Sequence, residues 1–175
     1  MIITGKRKNT RGVSLMETVV YVSLVALLSV MVVEALLSLG KVFKYVRATR
    51  DIENSALVAL DRIVKEIRLA DAVASGGVFG TTTPTGKLVL SYSGATPAIR
   101  EFSVDGNGVL RLFEDGVDGG SLTSGNVLVR TFWLEEATTT ERTAIRVTLT
   151  LEDKIEKTNP RKATFYTAAA MRGLY

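Results

Sequence analysis

From Thr18 to Val33 the chain carries no charge, only Val, Leu, Ala, Met, Ser, one Thr and one Tyr. Glu17 and Glu34 bound this run, and the segment from Val13 to Leu39 has 27 residues. As a helix it reaches roughly 40 Å, more than the roughly 30 Å hydrocarbon core of a bilayer. The stretch predicts a membrane helix. A secretory signal peptide fits less well, since its apolar region is short and ends at a small-residue cleavage site. Ala35-Leu36-Leu37-Ser38-Leu39-Gly40 has that look, but the run before it is too long. Glu17 is the anomaly, because a carboxylate near the apolar layer costs roughly 3 kcal/mol unless it is paired or interfacial.

The residues before the run give Glu17 a context. Lys6-Arg7-Lys8-Asn9-Thr10-Arg11-Gly12 is basic and ends in Gly, and Val13-Ser14-Leu15-Met16-Glu17 puts Glu at the fifth position after it. Basic residues, Gly, a short apolar start, Glu and a long apolar helix resemble a class III signal sequence of the type IV pilin family. Val13 stands where the family more often has Phe, and Ser14-Leu15-Met16 where Thr-Leu-Ile is commoner. The resemblance implies a cytoplasmic leader over residues 1–12, cleavage between Gly12 and Val13, and N-methylation of Val13. It also implies that Glu17 serves assembly by meeting a neighbouring subunit's N-terminal amine. A different class of protein stays open beside it: a single-pass, membrane-anchored extracytoplasmic binding module whose signal anchor is never cut.

Charge does not decide the orientation. Lys6, Arg7, Lys8 and Arg11 lie before the helix, but Lys41, Lys44, Arg47 and Arg50 lie just after it. Only the resemblance places the leader in the cytoplasm and the remainder outside. The net charge of +4 equals those first four basic residues, leaving 18 basic against 18 acidic. No basic stripe with interleaved aromatics follows, so no nucleic-acid partner is inferred. Cys is absent, which removes any disulfide framework.

Beyond Leu39 the helical period continues with a new character. Val42, Phe43, Val46, Ile52, Ala56, Ala59, Leu60, Ile63, Val64, Ile67 and Ala70 recur at three- and four-residue steps, predicting one apolar face. The expected element is a single helix from Ser14 to Ala74, with residues 13–39 in the membrane, 40–74 amphipathic, and Gly76-Gly77 as the stop. A short Gly/Thr loop follows, and from Lys87 the period becomes two. Strands are expected at Lys87–Tyr92, Ile99–Val104, Val109–Phe113, Val127–Leu134 and Ala144–Leu151, with a turn at Asp105-Gly-Asn-Gly108. Gly106 and Gly108 lack the third Gly and the following helix of a nucleotide loop, so they read as a hairpin turn. In Ala144–Leu151, Ile145, Val147, Leu149 and Leu151 alternate with Arg146, Thr148 and Thr150, one buried face and one wet. An antiparallel sheet over residues 87–175 needs a cover, and the amphipathic half-helix is the candidate. The fold class expected is α+β, a long N-terminal helix on an antiparallel sheet, within one extracytoplasmic domain over 40–175. This is also the pilin architecture.

Enzyme chemistry has little support. With no His and no Cys, the usual general bases and soft metal ligands are missing. Glu135-Glu136 and Glu114-Asp115 are adjacent acids, which a strand points to opposite faces. Glu114, Asp115 and Asp118 offer oxygens of the kind calcium accepts, but the stretch lacks the twelve-residue pattern and its terminal Glu, and turn chemistry is the reading taken. No cofactor is expected. Leu57–Arg68 and the tail Lys162–Tyr175 resemble the corresponding parts of J- or W-type minor pilins. The resemblance therefore implies a minor pilin or pseudopilin of a type IV pilus, or of a type II secretion or DNA-uptake filament. Its implied partners are the major pilin and other minor pilins, the prepilin peptidase, the inner-membrane assembly platform and membrane lipid.

Overall fold

A computed structural model describes residues 14–80, 85–94, 96–138, 143–155 and 160–171. Gly12, Val13 and the rest of the predicted leader lie outside the described residues, as do the last four residues of the tail. The chain is α+β: the described residues form one helix, α1 (Leu15–Leu69), followed by eight strands in two antiparallel sheets. It falls into two units, Met1–Lys44 and Tyr45–Tyr175.

In the first unit α1 opens on Ser14, whose carbonyl accepts from the amides of Glu17 (2.9 Å) and Thr18 (3.1 Å). Every residue from Ser14 to Lys44 is exposed. In the second unit the helix has a real inside. Ile52, Ala56, Ala59, Ile63 and Ile67 are buried at steps of four, three, four and four, the spacing of a single helical face. The expected stripe is shorter than its periodicity suggested: Val42, Phe43 and Val46 are exposed, and burial begins at Ile52.

The helix ends at Leu69, not at Ala74, because strand pairing captures the backbone first. The Asp71 amide donates to the Ser91 carbonyl, and Ala72 and Val73 pair with Ser91 and Leu90. Gly76, at φ +98°, belongs to the turn after that short strand and does not stop the helix. β1 (Ala72–Val73), β2 (Leu88–Ser91), β3 (Ile99–Val104), β4 (Leu110–Glu114) and β5 (Val117–Ser121) form a five-stranded meander in that order. β6 (Val127–Thr138), β7 (Thr143–Asp153) and β8 (Lys162–Ala170) form a second sheet of three. The single sheet expected from residue 87 onward is thus two sheets, and it starts earlier.

Both sheets contribute to one core with the helix stripe. Leu88, Leu90, Phe102 and Leu110 come from the first; Phe132, Leu134 and the run Ile145, Val147, Leu149, Leu151 come from the second. Residues of the segment between β1 and β2, together with the β3–β4 turn, staple the sheets together. Gly86 donates to the Phe132 carbonyl, Gly80 to the Leu134 carbonyl, and Val129 to the Gly108 carbonyl. A Cβ at Gly86 would lie 2.9 Å from the carbonyl oxygens of both Phe132 and Val78, so the close approach requires glycine.

The Asp105–Gly108 turn closes the β3–β4 hairpin as expected. The Asp105 carboxylate accepts from the amides of Asn107 and Val109, and Gly108 takes φ +73°. The next hairpin was missed. Asp115 and Gly116, at φ 49° and 82°, form the two-residue turn into β5. β6 also runs to Thr138, four residues past its expected end, because it keeps register with β7 to Thr143.

Candidate functional site

The candidate site is the N-terminal end of α1, where the apolar run and its acids lie. Leu27, Leu28, Val30 and Met31 are all more than half exposed, and so are the residues around them. A helix apolar all round is the kind that is ordinarily buried, in a protein core or across a membrane. Among the described residues α1 is the one helix long and apolar enough to cross a membrane. Its hydroxyls are spent on its own backbone: Thr18 donates to the Leu15 carbonyl, Ser23 to Val20 and Ser29 to Val25, each at 2.8 Å. That internal satisfaction lowers the cost of placing them in a low dielectric. Thr18, Val19, Val22, Ser23 and Ala26 line a shallow apolar hollow on one side. Small residues of this kind let another helix approach closely.

Glu17 lies in the first turn, where the helix dipole favours a carboxylate. It is exposed, and the Tyr21 hydroxyl one turn on donates to its Oε1 at 3.3 Å. That partner was legible as an i,i+4 pair but was not singled out. Among the described residues no ion pair reaches Glu17, and none joins Glu34 to Lys41. Ser14, Leu15 and Met16 of the signal motif are the start of the helix and are exposed.

The other acids sit in the second unit with separate partners. Glu114 faces Arg62 at 3.6 Å and Arg100 at 3.8 Å. Asp115 accepts from the amides of Ala98 (3.2 Å) and Ile99 (2.8 Å), and Asp118 pairs with Arg111 at 2.6 Å. The structure does not gather the three calcium candidates, and no metal-holding cluster of three acids occurs among the described residues. Glu135 pairs with Arg146 at 3.2 Å and accepts from the Trp133 indole at 3.3 Å; its neighbour Glu136 is exposed beside it on β6.

Sequence reasoning did not find the buried carboxylates, which among the described residues are Glu66, Glu152 and Asp153. Glu66, on the inner side of α1, takes Arg62 Nε at 3.0 Å, Arg100 Nη1, and the Tyr92 hydroxyl at 2.9 Å. Arg100 lies over the Tyr92 ring, 4.6 Å from its centre. Burial, then the Glu66 hydrogen bond and charge, push the Tyr92 hydroxyl far above the ordinary phenol value. Burial works against the Arg100 charge, but Glu66 outweighs it and raises Arg100. Glu152, on β7, is gripped by Arg130 through two bonds of 2.9 and 2.8 Å and by Lys162 at 3.0 Å. The Arg130 bond holds its carboxyl below the ordinary range against the effect of burial. These clusters tie elements together, Glu66 joining α1 to β2 and β3 and Glu152 joining β7 to β6 and β8.

Comparison with protein-family models, with curated proteins and with solved structures gives no match.

Proposed function

We propose that the chain is a minor pilin or pseudopilin, a structural subunit of a type IV pilus or of a related type II secretion or DNA-uptake filament. One observation carries the reading: Gly12-Val13-Ser14-Leu15-Met16-Glu17 leads directly into a helix whose first half, apolar all round, is exposed at every residue from Leu15 to Lys44. The leader lies in the cytoplasm and the sheets outside a bacterial inner membrane. A prepilin peptidase cuts between Gly12 and Val13, and the new amine is methylated. The subunit then leaves the bilayer for a helical bundle of major and minor pilins on an assembly platform. In that bundle Glu17 neutralises the amine of a neighbouring Val13, fixing axial register.

The test is the intact mass of the membrane-extracted protein. A chain beginning at methylated Val13, and a block of that cut by Gly12→Leu, are expected. Filament-associated protein that retains Met1 would overturn the reading in favour of an uncut anchored module.

A further inference from the structure

The two sheets end in four strand edges, and three are blunted. β1 has two residues. β5 has five, includes Asp118, Gly119 and Gly120, and is broken by a bulge at Gly119, which pairs with no residue of β4. β6 spends outward groups at Val129, Phe132 and Leu134 on the loop segments that staple the sheets. Short length, charge, bulges and covering loops are the usual protections of a sheet edge.

Among the described residues β8 has only one of them, the charge of Lys162 at its start. It is nine residues long, keeps unbroken register with β7, and carries no charge after Lys162. The direction of its polar groups follows from its ends. Asp153 donates to the Arg161 carbonyl and Met171 to the Thr143 carbonyl, so odd-numbered residues bond to β7. The alternation of an antiparallel ladder then turns the amides and carbonyls of Lys162, Thr164, Tyr166, Ala168 and Ala170 outward. Among the described residues no backbone group meets them.

We propose that this edge is a docking site for an extended segment of another polypeptide, added antiparallel to β8 as a fourth strand. The chemistry of the segment follows from the edge. On the inner side Ala163 and Phe165 pack on the core but are only partly buried, so the added strand brings apolar residues at alternate positions to finish covering them. On the outer side it meets Tyr166, 73% exposed, and takes polar or aromatic residues. Among the described residues Arg130 and Lys162 share the one carboxylate of Glu152, two cations to one anion in that cluster at the start of β8. The partner therefore carries an acidic residue there, which the antiparallel sense makes the C-terminal end of the segment. A second copy of β8 fits less well, because it sets uncharged Ala170 opposite Lys162. The inference does not depend on the filament reading.

The experiment uses the full chain in detergent micelles, with a nonapeptide of alternating Val and Thr ending in Glu as the probe. Hydrogen exchange is expected to show fast amides at Thr164, Tyr166 and Ala168 beside protected ones at Phe165 and Thr167. Adding the peptide should slow the fast set about ten-fold or more. Moving Glu to the peptide's N-terminal end should weaken binding about three-fold or more, and N-methylating the amides that face β8 should abolish it. Ala168→Pro removes an outward amide but no β7 bond and should weaken binding about ten-fold. Should that variant not fold, the N-methylated peptide makes the same comparison on the unaltered chain. The proposal is overturned by outward amides already protected in the free chain, by no peptide binding, or by equal binding of the N-methylated peptide. A free chain that sediments as a dimer dissociated by the peptide overturns it too, in favour of a second copy.

Discussion

Glu17 and Glu34 bound the same uncharged run, yet the helix treats them differently. Glu17 has the positive end of the helix dipole and the Tyr21 hydroxyl. Glu34 is in mid-helix, and Lys41, two turns or roughly 10 Å further along, makes no ion pair with it. The filament reading assigns the pairing with a neighbour's Val13 amine to Glu17 and not to Glu34. Glu17→Ala should therefore leave cleavage and membrane insertion intact while abolishing co-purification with other subunits, since an unpaired amine in a low dielectric costs roughly 3 kcal/mol. Glu34→Gln should retain association. The reverse ranking in a co-purification assay would show that the register contact lies elsewhere. At this scale the sequence displays the motif but not all the partners. Tyr21 was readable by spacing, and Asp115-Gly116 is a hairpin signal that the calcium question obscured.

In the second unit the helix is joined to the sheets by small side chains and the buried acid Glu66. Ala56 and Ala59 are fully covered, which lets the helix backbone approach the sheets, and Glu66 reaches from the same face to β3. Removing Glu66 would leave Arg100, with a side chain only 18% exposed, facing Glu114 at 3.8 Å. Glu66→Ala should thus cost about 3 kcal/mol, near 10 °C in thermal unfolding followed by Trp133 fluorescence. Arg62→Ala touches the same carboxylate from a more exposed position and should cost less than about 1 kcal/mol. Equal losses would mean that the helix is held by its apolar stripe alone. Periodicity revealed the stripe from Ile52 to Ile67 and the alternation of β7, because burial on one face writes itself into every second or fourth residue. It could not reveal β5, whose Val-Asp-Gly-Gly-Ser has little strand propensity and pairs through its backbone. Nor could it separate one sheet from two, since that division rests on the loop 78–86 and its bonds to β6.

For the molecule as a whole, composition and ion pairing together set the response to pH. The chain has no His, the side chain that ordinarily titrates between pH 5 and 8, so its stability should be level across that range. Acid is different. The Arg111 hydrogen bond, joined by backbone amides, holds the Asp105 carboxyl below its ordinary value, as Arg130 does for Glu152. A carboxyl lowered by folding is bound by fewer protons in the folded chain than in the unfolded one. Its contribution is complete above the ordinary carboxylate range and disappears as pH falls through the lowered folded values. The stability of the full chain in detergent should therefore fall steadily below about pH 4. Glu152→Gln should be less stable than the parent at pH 7 and should show a shallower acid limb, the two curves converging once the parent carboxyl is protonated. Parallel acid limbs would place the acid sensitivity in other carboxylates and leave Glu152 as a packing group.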